Sequence, residues 1–315
     1  MQDRFAGSTG APSISRGVCR SFCLVAAGLI SFLMFPGNLA HAVQPPYSSG
    51  LIGTWVNTQS SGLIAQVVIG GGISIVQAHV YGYCPPTTCD WGSFTPSRFS
   101  DGVTSDSAIG FRLTISSSTD TKIIQGHLLG FGILEISTQI SYPPGGSNNN
   151  YQVTEEFRLQ GLTGGPVVKV PSNPPPLTGT WTAVNSSGGI SQFIVTESDG
   201  AFQIHPYGAC SPTDCDWGVQ PVSLFSDSPT SSTPMGFQAS FNLAAARFLQ
   251  GHLILNSTGE TLLEVTNQSS FAAPDPRYDY ELTEDFQLSG SGTPSFAINP
   301  ASSSLTIASG AAGTE

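Results

Sequence analysis

Apolar and polar residues alternate along much of this chain with a period of two. Phe111, Leu113 and Ile115 alternate with Arg112, Thr114 and Ser116, and Phe237, Ala239, Phe241 and Leu243 alternate with Gln238, Ser240 and Asn242. Successive side chains of a strand point to opposite faces, so such runs predict sheet with one face buried. About eight strands can be placed in residues 50–160, starting near Gly53, Leu63, Ile73, Trp91, Ala108, Lys122, Ile133 and Tyr151. Lysine occurs only at Lys122 and Lys169, while Gly (36) and Pro (23) are frequent, a mixture suited to short strands joined by turns. The expected fold is all-β. Sequential antiparallel strands can close into a barrel, which removes exposed edges, with a β-sandwich of the same strands as the alternative.

The pattern occurs twice. Leu51-Ile52-Gly53-Thr54-Trp55 recurs as Leu177-Thr178-Gly179-Thr180-Trp181, and His79-Val80-Tyr81-Gly82-Tyr83-Cys84 as His205-Pro206-Tyr207-Gly208-Ala209-Cys210. Cys89-Asp90-Trp91-Gly92 recurs as Cys215-Asp216-Trp217-Gly218, Gln125-Gly126-His127-Leu128 as Gln250-Gly251-His252-Leu253, and Thr154-Glu155-Glu156-Phe157 as Thr283-Glu284-Asp285-Phe286. Matches in one order along the whole unit mean a duplicated domain, repeat 1 at 50–160 and repeat 2 at 177–290. Residues 161–176 between them end in Pro174-Pro175-Pro176, which predicts a stiff, extended spacer and two separate domains.

Residues 1–42 read as an export signal: Arg4, Arg16 and Arg20 precede an apolar run from Phe22 to Phe35, and Ala40-His41-Ala42 offers a small-x-small cleavage site. The apolar run is short for a membrane span, and no other spanning segment is expected after cleavage. Removal of the leader leaves seven Lys and Arg against 20 Asp and Glu, a net charge of −13. So acidic a surface repels phosphate backbones, which argues against nucleic acid as a partner. The expected location is secreted, periplasmic or at the cell surface. The tail at 291–315, with Phe296-Ala297-Ile298-Asn299-Pro300 and Ser304-Leu305-Thr306-Ile307, looks like the opening of a bacterial immunoglobulin-like module, so a longer multidomain protein is one expectation and a disordered tail the other.

Two resemblances follow from these motifs. The Cys-x-Pro-Thr-x-Cys-Asp-Trp-Gly segment resembles a signature in uncharacterised bacterial secreted proteins, a grouping that implies no activity. Gly53-x-Trp55 and Gly179-x-Trp181 are similar to the Gly-x-Trp that opens the first strand of lipocalin- and avidin-like barrels. That resemblance implies an Arg from the last strand packed over the Trp, a part Arg158 would take in repeat 1, whereas repeat 2 has Gln287 there.

After the leader, four cysteines remain, one Cys-x4-Cys pair per repeat. In an exported chain these are expected as disulfides, and repeat symmetry selects Cys84–Cys89 and Cys210–Cys215. Each would hold a short turn and present the following Asp-Trp-Gly. A zinc site of His79, Cys84, Cys89 and His127 has suitable residue types, but the disulfide consumes both thiols, and no metal or other cofactor is expected.

The remaining chemistry is paired across the repeats: His79 with His205, Tyr81 with Tyr207, Asp90 with Asp216, Trp91 with Trp217, His127 with His252, and Glu155 with Glu284. Amphipathic aromatics beside a loop carboxylate suit contact with a sugar or other small molecule, while the simpler role for each Trp is to plug one end of its domain. Glu155 shares a strand face with Val153 and Phe157, and Glu284 with Leu282 and Phe286, which is costly without a partner. The expected partners are His127 for Glu155 and His252 for Glu284. The mature chain has no Gly-x-Ser-x-Gly elbow, no His-Glu-x-x-His and no phosphate-cradling loop, which disfavours an enzyme. The reading is a non-catalytic binding module duplicated for avidity, with carbohydrate or a small molecule as ligand. Structural spacer domains of a larger surface protein, or a hydrolase using His and Glu, are the alternatives.

Overall fold

The alternating runs become strands. The computed structural model describes residues 48–59, 62–71, 76–130, 132–162, 169–185 and 188–289, so the proposed signal and tail lie outside the described residues. Repeat 1 contains β1 (Ser48–Ser49), β2 (Gly53–Asn57), β3 (Ile64–Gly71), β4 (Val76–Cys84), β5 (Thr87–Phe94), β6 (Ser97–Ser100), β7 (Ser107–Ser116), β8 (Thr121–Gly130), β9 (Ile133–Ser141) and β10 (Tyr151–Leu159). Repeat 2 contains β11 (Gly179–Ala183), β12 (Ile190–Ser198), β13 (Ala201–Gly208), β14 (Cys215–Asp216), β15 (Gln220–Pro221), β16 (Ser223–Phe225), β17 (Gly236–Asn242), β18 (Ala246–Leu255), β19 (Thr261–Ser270) and β20 (Tyr280–Leu288). Among the described residues no helix is formed, and the protein is all-β.

Repeat 1 is an antiparallel meander. β2, β3, β4 and β5 pair in order, β6 to β10 pair in order, and β10 returns to β2 through Arg158 opposite Val56. Thr95-Pro96 separates β5 from β6, and these two strands share no ladder among the described pairings. Repeat 2 follows the same course, with β14 and β15 in the place of β5 and with β20 returning to β11. The parallel pairings β1–β7 and β6–β20 make the whole a large mixed sheet.

Each repeat has its own core. Trp55, Val67, Val80, Phe111, Ile136 and Phe157 are fully buried in repeat 1, as are Trp181, Phe193, Phe237, Leu249, Leu263 and Phe286 in repeat 2. Both indoles donate Nε1–H to a backbone carbonyl four residues earlier, Leu51 and Leu177, at 2.8 Å. This satisfies the one polar atom that burial would otherwise strand. Arg158 donates to Glu156 Oε1 at 2.6 Å.

The repeats are not held apart as the Pro-rich spacer suggested. Ser100 N–H donates to Asp279 O at 2.9 Å and Ser226 N–H to Asn150 O at 3.0 Å, at equivalent places in the duplicated units. Between these two joints the polar faces of β8–β10 and β18–β20 meet. Ser137 Oγ accepts from Gln152 Nε2 (2.8 Å) and from Gln250 Nε2 (2.7 Å), and Gln139 Nε2 donates to Phe237 O at 3.2 Å. Arg112 lies over the Phe248 ring at 4.4 Å. The second repeat thus takes the place of solvent over the face that alternation left polar.

Candidate functional site

The predicted disulfides are both formed, with Cα atoms 5.5 Å apart. Each closes a hairpin end, where Gly82 pairs with Cys89 and Gly208 with Cys215. One step further, Val80 faces Gly92 while Tyr81 faces Asp90, so Trp91 is the extra residue of a β-bulge. Gly92 (φ 101°) and Gly218 (φ 78°) take the left-handed conformation that glycine tolerates beside each Trp. The bulge re-aims the indole onto Gly82, where any Cβ would collide with the ring; Trp217 lies on Gly208 in the same way.

The His, Tyr and Asp of this hairpin meet on its outer face. Asp90 Oδ1 accepts from Gly92 N–H (2.8 Å) and lies 2.6 Å from His79 Nε2, and the His79 ring stacks on Tyr81 with centroids 4.5 Å apart. Repeat 2 reproduces this: Asp216 Oδ1 is 2.7 Å from Gly218 N and 2.6 Å from His205 Nε2, and His205 stacks on Tyr207 at 4.5 Å. Both aspartate side chains are 62% exposed, so a carboxylate edge faces solvent in each copy. Sequence reasoning missed Ser93, which sits directly across from His79 and places Oγ 2.8 Å from Nδ1. Repeat 2 has Val219 there, and Tyr207 OH approaches Nδ1 at 3.3 Å instead. The serine is therefore particular to repeat 1, while the clamp of imidazole, carboxylate and backbone N–H is common to both.

The same bonds hold both aspartates below the usual carboxylate pKa. For Asp90 the Gly92 N–H is the larger cause and His79 the second; for Asp216 the order is His205, then Gly218. Carboxyl-carbon NMR titration should show the Asp216 midpoint moving upward in His205→Ala and the Asp90 midpoint moving upward in His79→Ala. A depressed carboxyl pKa stabilises the fold above the unfolded value near ~3.9, and the gain is lost as pH falls through the lower folded value. A midpoint that stays in place in either variant would contradict the assignment.

The indoles are largely packed. Trp217 is 9% exposed and meets Phe241 edge-on, with Arg247 above its ring at 4.3 Å; Lys122 stands 5.5 Å from the Trp91 ring. The second face of each indole is thus shared with a cation rather than left as an open platform.

The expected His–Glu pairs are replaced by others. Glu155 is fully buried on the apolar face, as the pleat predicts, but its carboxylate accepts from Leu63 N (2.8 Å), Ile64 N (3.2 Å) and Asn57 Nδ2 (2.7 Å). Glu284 accepts from Gly189 N and Ile190 N, both at 3.1 Å. Burial raises both pKa values, against the lowering effect of these hydrogen bonds. Within a meander, a carboxylate that caps free backbone N–H groups does not require a histidine.

His127 and His252 lie instead in the seam between the repeats. His127 Nδ1 is 2.7 Å from Glu281 Oε1, which comes from the other repeat, and Gln268 Nε2 donates to the same carboxylate at 3.0 Å. Burial disfavours the His127 imidazolium, but Glu281 and, to a smaller extent, Glu264 together outweigh it and its pKa is raised. His252 has no such partner across the seam; it stands 3.4 Å from Glu264 of its own repeat, and burial lowers its pKa. Glu135 is raised well above the ordinary range by burial and by Glu264. None of Glu135, Glu264 and Glu281 was singled out from sequence; for Glu135 and Glu264 the available signal was a Glu directly across from a His on an adjacent strand, which needs the register, whereas Glu281 stands across from Gln268.

An open cleft of about 470 Å³ borders the seam, lined by Gln152, Val170, Asp227, Met235, His252 and Leu253. No helix among the described residues is long and apolar enough to cross a membrane. Comparison with family models, with curated proteins and with solved structures finds no match to this chain.

Proposed function

We propose that the chain is an exported, non-catalytic binding protein whose two repeats each offer one ligand-contacting surface, with a carbohydrate or other small polar molecule as ligand. The observation that carries this reading is the doubled outer-face cluster: His79, Tyr81 and Asp90, and His205, Tyr207 and Asp216, share one geometry although neighbouring positions differ. An exposed carboxylate can accept sugar hydroxyls, and an imidazole stacked on a phenol is a rigid amphipathic wall beside it. The disulfide and the bulge hold these groups in place before a ligand arrives, which lowers the ordering cost of binding. Both cores are packed by their own side chains, so in this reading the contact lies on the outer surface. The barrel expected for each repeat is supported by the return of β10 to β2 and of β20 to β11.

A glycan array with the mature chain tests the reading. Asp90→Asn or Asp216→Asn alone should weaken apparent affinity by about tenfold or more, as two-site attachment becomes one-site, and the double variant should not bind. A wild-type chain that binds nothing, or a folded double variant that binds unchanged, would refute it. The rival architectural reading draws on the covered indoles of Trp91 and Trp217, whose packing fits a rigid spacer.

A further inference from the structure

We propose that Glu135, His252 and Glu264 hold one divalent cation of the zinc class in the seam between the repeats. One ligand atom from each residue lies within 4.8 Å of the others, and the set draws on both copies: Glu135 from β9, His252 from β18 and Glu264 from β19. His252 is 7% exposed, and neither its Nε2 nor Glu264 Oε1 has a hydrogen-bond partner. A buried imidazole nitrogen and a buried carboxylate oxygen left open are each costly, and one cation between them satisfies both.

The duplication explains why, among the described residues, there is one such site and not two. His127 occupies the place equivalent to His252, but Glu281 reaches it from the other repeat. The residue equivalent to Glu281 is Gln152, whose amide is committed to Gln139 and Ser137. Gln152 therefore offers His252 no carboxylate, and the acid of the other repeat that lies near it is Glu135. A mixed imidazole and carboxylate set suits zinc or a neighbouring transition metal, whereas calcium and magnesium favour oxygen alone. A void of about 10 Å³ lined by Gln125, Glu135, Ser137, Gln250, His252 and Glu281 adjoins the three residues. That is about the space of one water-sized sphere, enough for a water to complete the shell. His252 also lines the open cleft, which supplies an entry path.

The test is calorimetric titration of the chelator-stripped mature chain with zinc chloride, alongside thermal melts. One equivalent should bind, and the melting temperature should rise with zinc concentration. His252→Ala and Glu264→Gln should each weaken binding at least about a hundredfold, since even supporting residues of metal sites are worth ~10–100-fold. His79→Ala combined with His205→Ala should leave it unchanged. Absence of binding, a folded His252→Ala chain that binds as tightly as wild type, or binding lost in the His79/His205 variant would overturn the proposal. Should His252→Ala fail to fold, X-ray absorption on the wild-type zinc complex decides: one imidazole nitrogen among oxygens supports the site, and any other count of imidazoles refutes it.

Discussion

Trp181→Ala should cost about 3–5 kcal/mol of stability, and Trp55→Ala a similar amount, as expected for a buried tryptophan cut back to alanine. Each ring is at most 1% exposed and enclosed by a separate core. Trp181 packs beside Phe193, with ring centroids 6.5 Å apart, so truncation opens a cavity against a stiff aromatic wall that cannot easily collapse. The substitution also leaves the Leu177 carbonyl without its indole donor. Chemical denaturation followed by fluorescence and by circular dichroism would measure the loss. Because residues of one repeat hydrogen-bond to the other across the seam, a lesion in either core should lower the stability of the whole unit in one transition. A cost below about 1.5 kcal/mol would mean that the Gly-x-Trp indole is peripheral, despite its burial.

Much of the scaffold could be read from residue order alone, because period-two alternation acts locally. Phe111 and Leu113 are buried while Thr114 is exposed, as the pattern requires, and Phe237, Ala239 and Phe241 behave alike until Leu243, which lies beyond the strand and is 43% exposed. The duplication also pointed to the disulfides, since only one of the three pairings keeps each bond within its own copy. Local pattern could not reveal what covers the other face. Gln125, Ser137, Gln139 and Gln250 alternate as solvent-facing positions do, yet all four are buried, because the other repeat lies against each. The partners of His127 and Glu155 were misassigned for the same reason. Glu281 is 154 residues from His127, and Glu155 is held by backbone N–H groups that carry no side-chain signature. Ser93 shows the remaining gap: its place opposite His79 depends on the register of β4 and β5, which the bulge at Trp91 shifts by one residue.

Glu281→Ala should destabilise the chain by about 3–5 kcal/mol, the usual loss when one member of a buried ion pair is removed. The carboxylate is 1% exposed and has two partners, so its loss leaves His127 Nδ1 and Gln268 Nε2 in the seam without an acceptor. Glycine at 110 makes room for this side chain, because a Cβ there would overlap the Glu281 carboxylate. The duplicated geometry supplies an internal control. Gln152 is the equivalent residue on the opposite side and sits against Gly236, but its bonds are to neutral groups. Gln152→Ala should therefore cost less, near the ~1–3 kcal/mol of stranded neutral partners. If Glu281 acts through His127, the double variant with His127→Ala should cost less than the sum of the two single changes by more than about 1 kcal/mol. Denaturation of the four chains measures this coupling directly. Additive losses would show that Glu281 only fills space, and the joint between the repeats would then rest on the backbone hydrogen bonds and the other side-chain contacts.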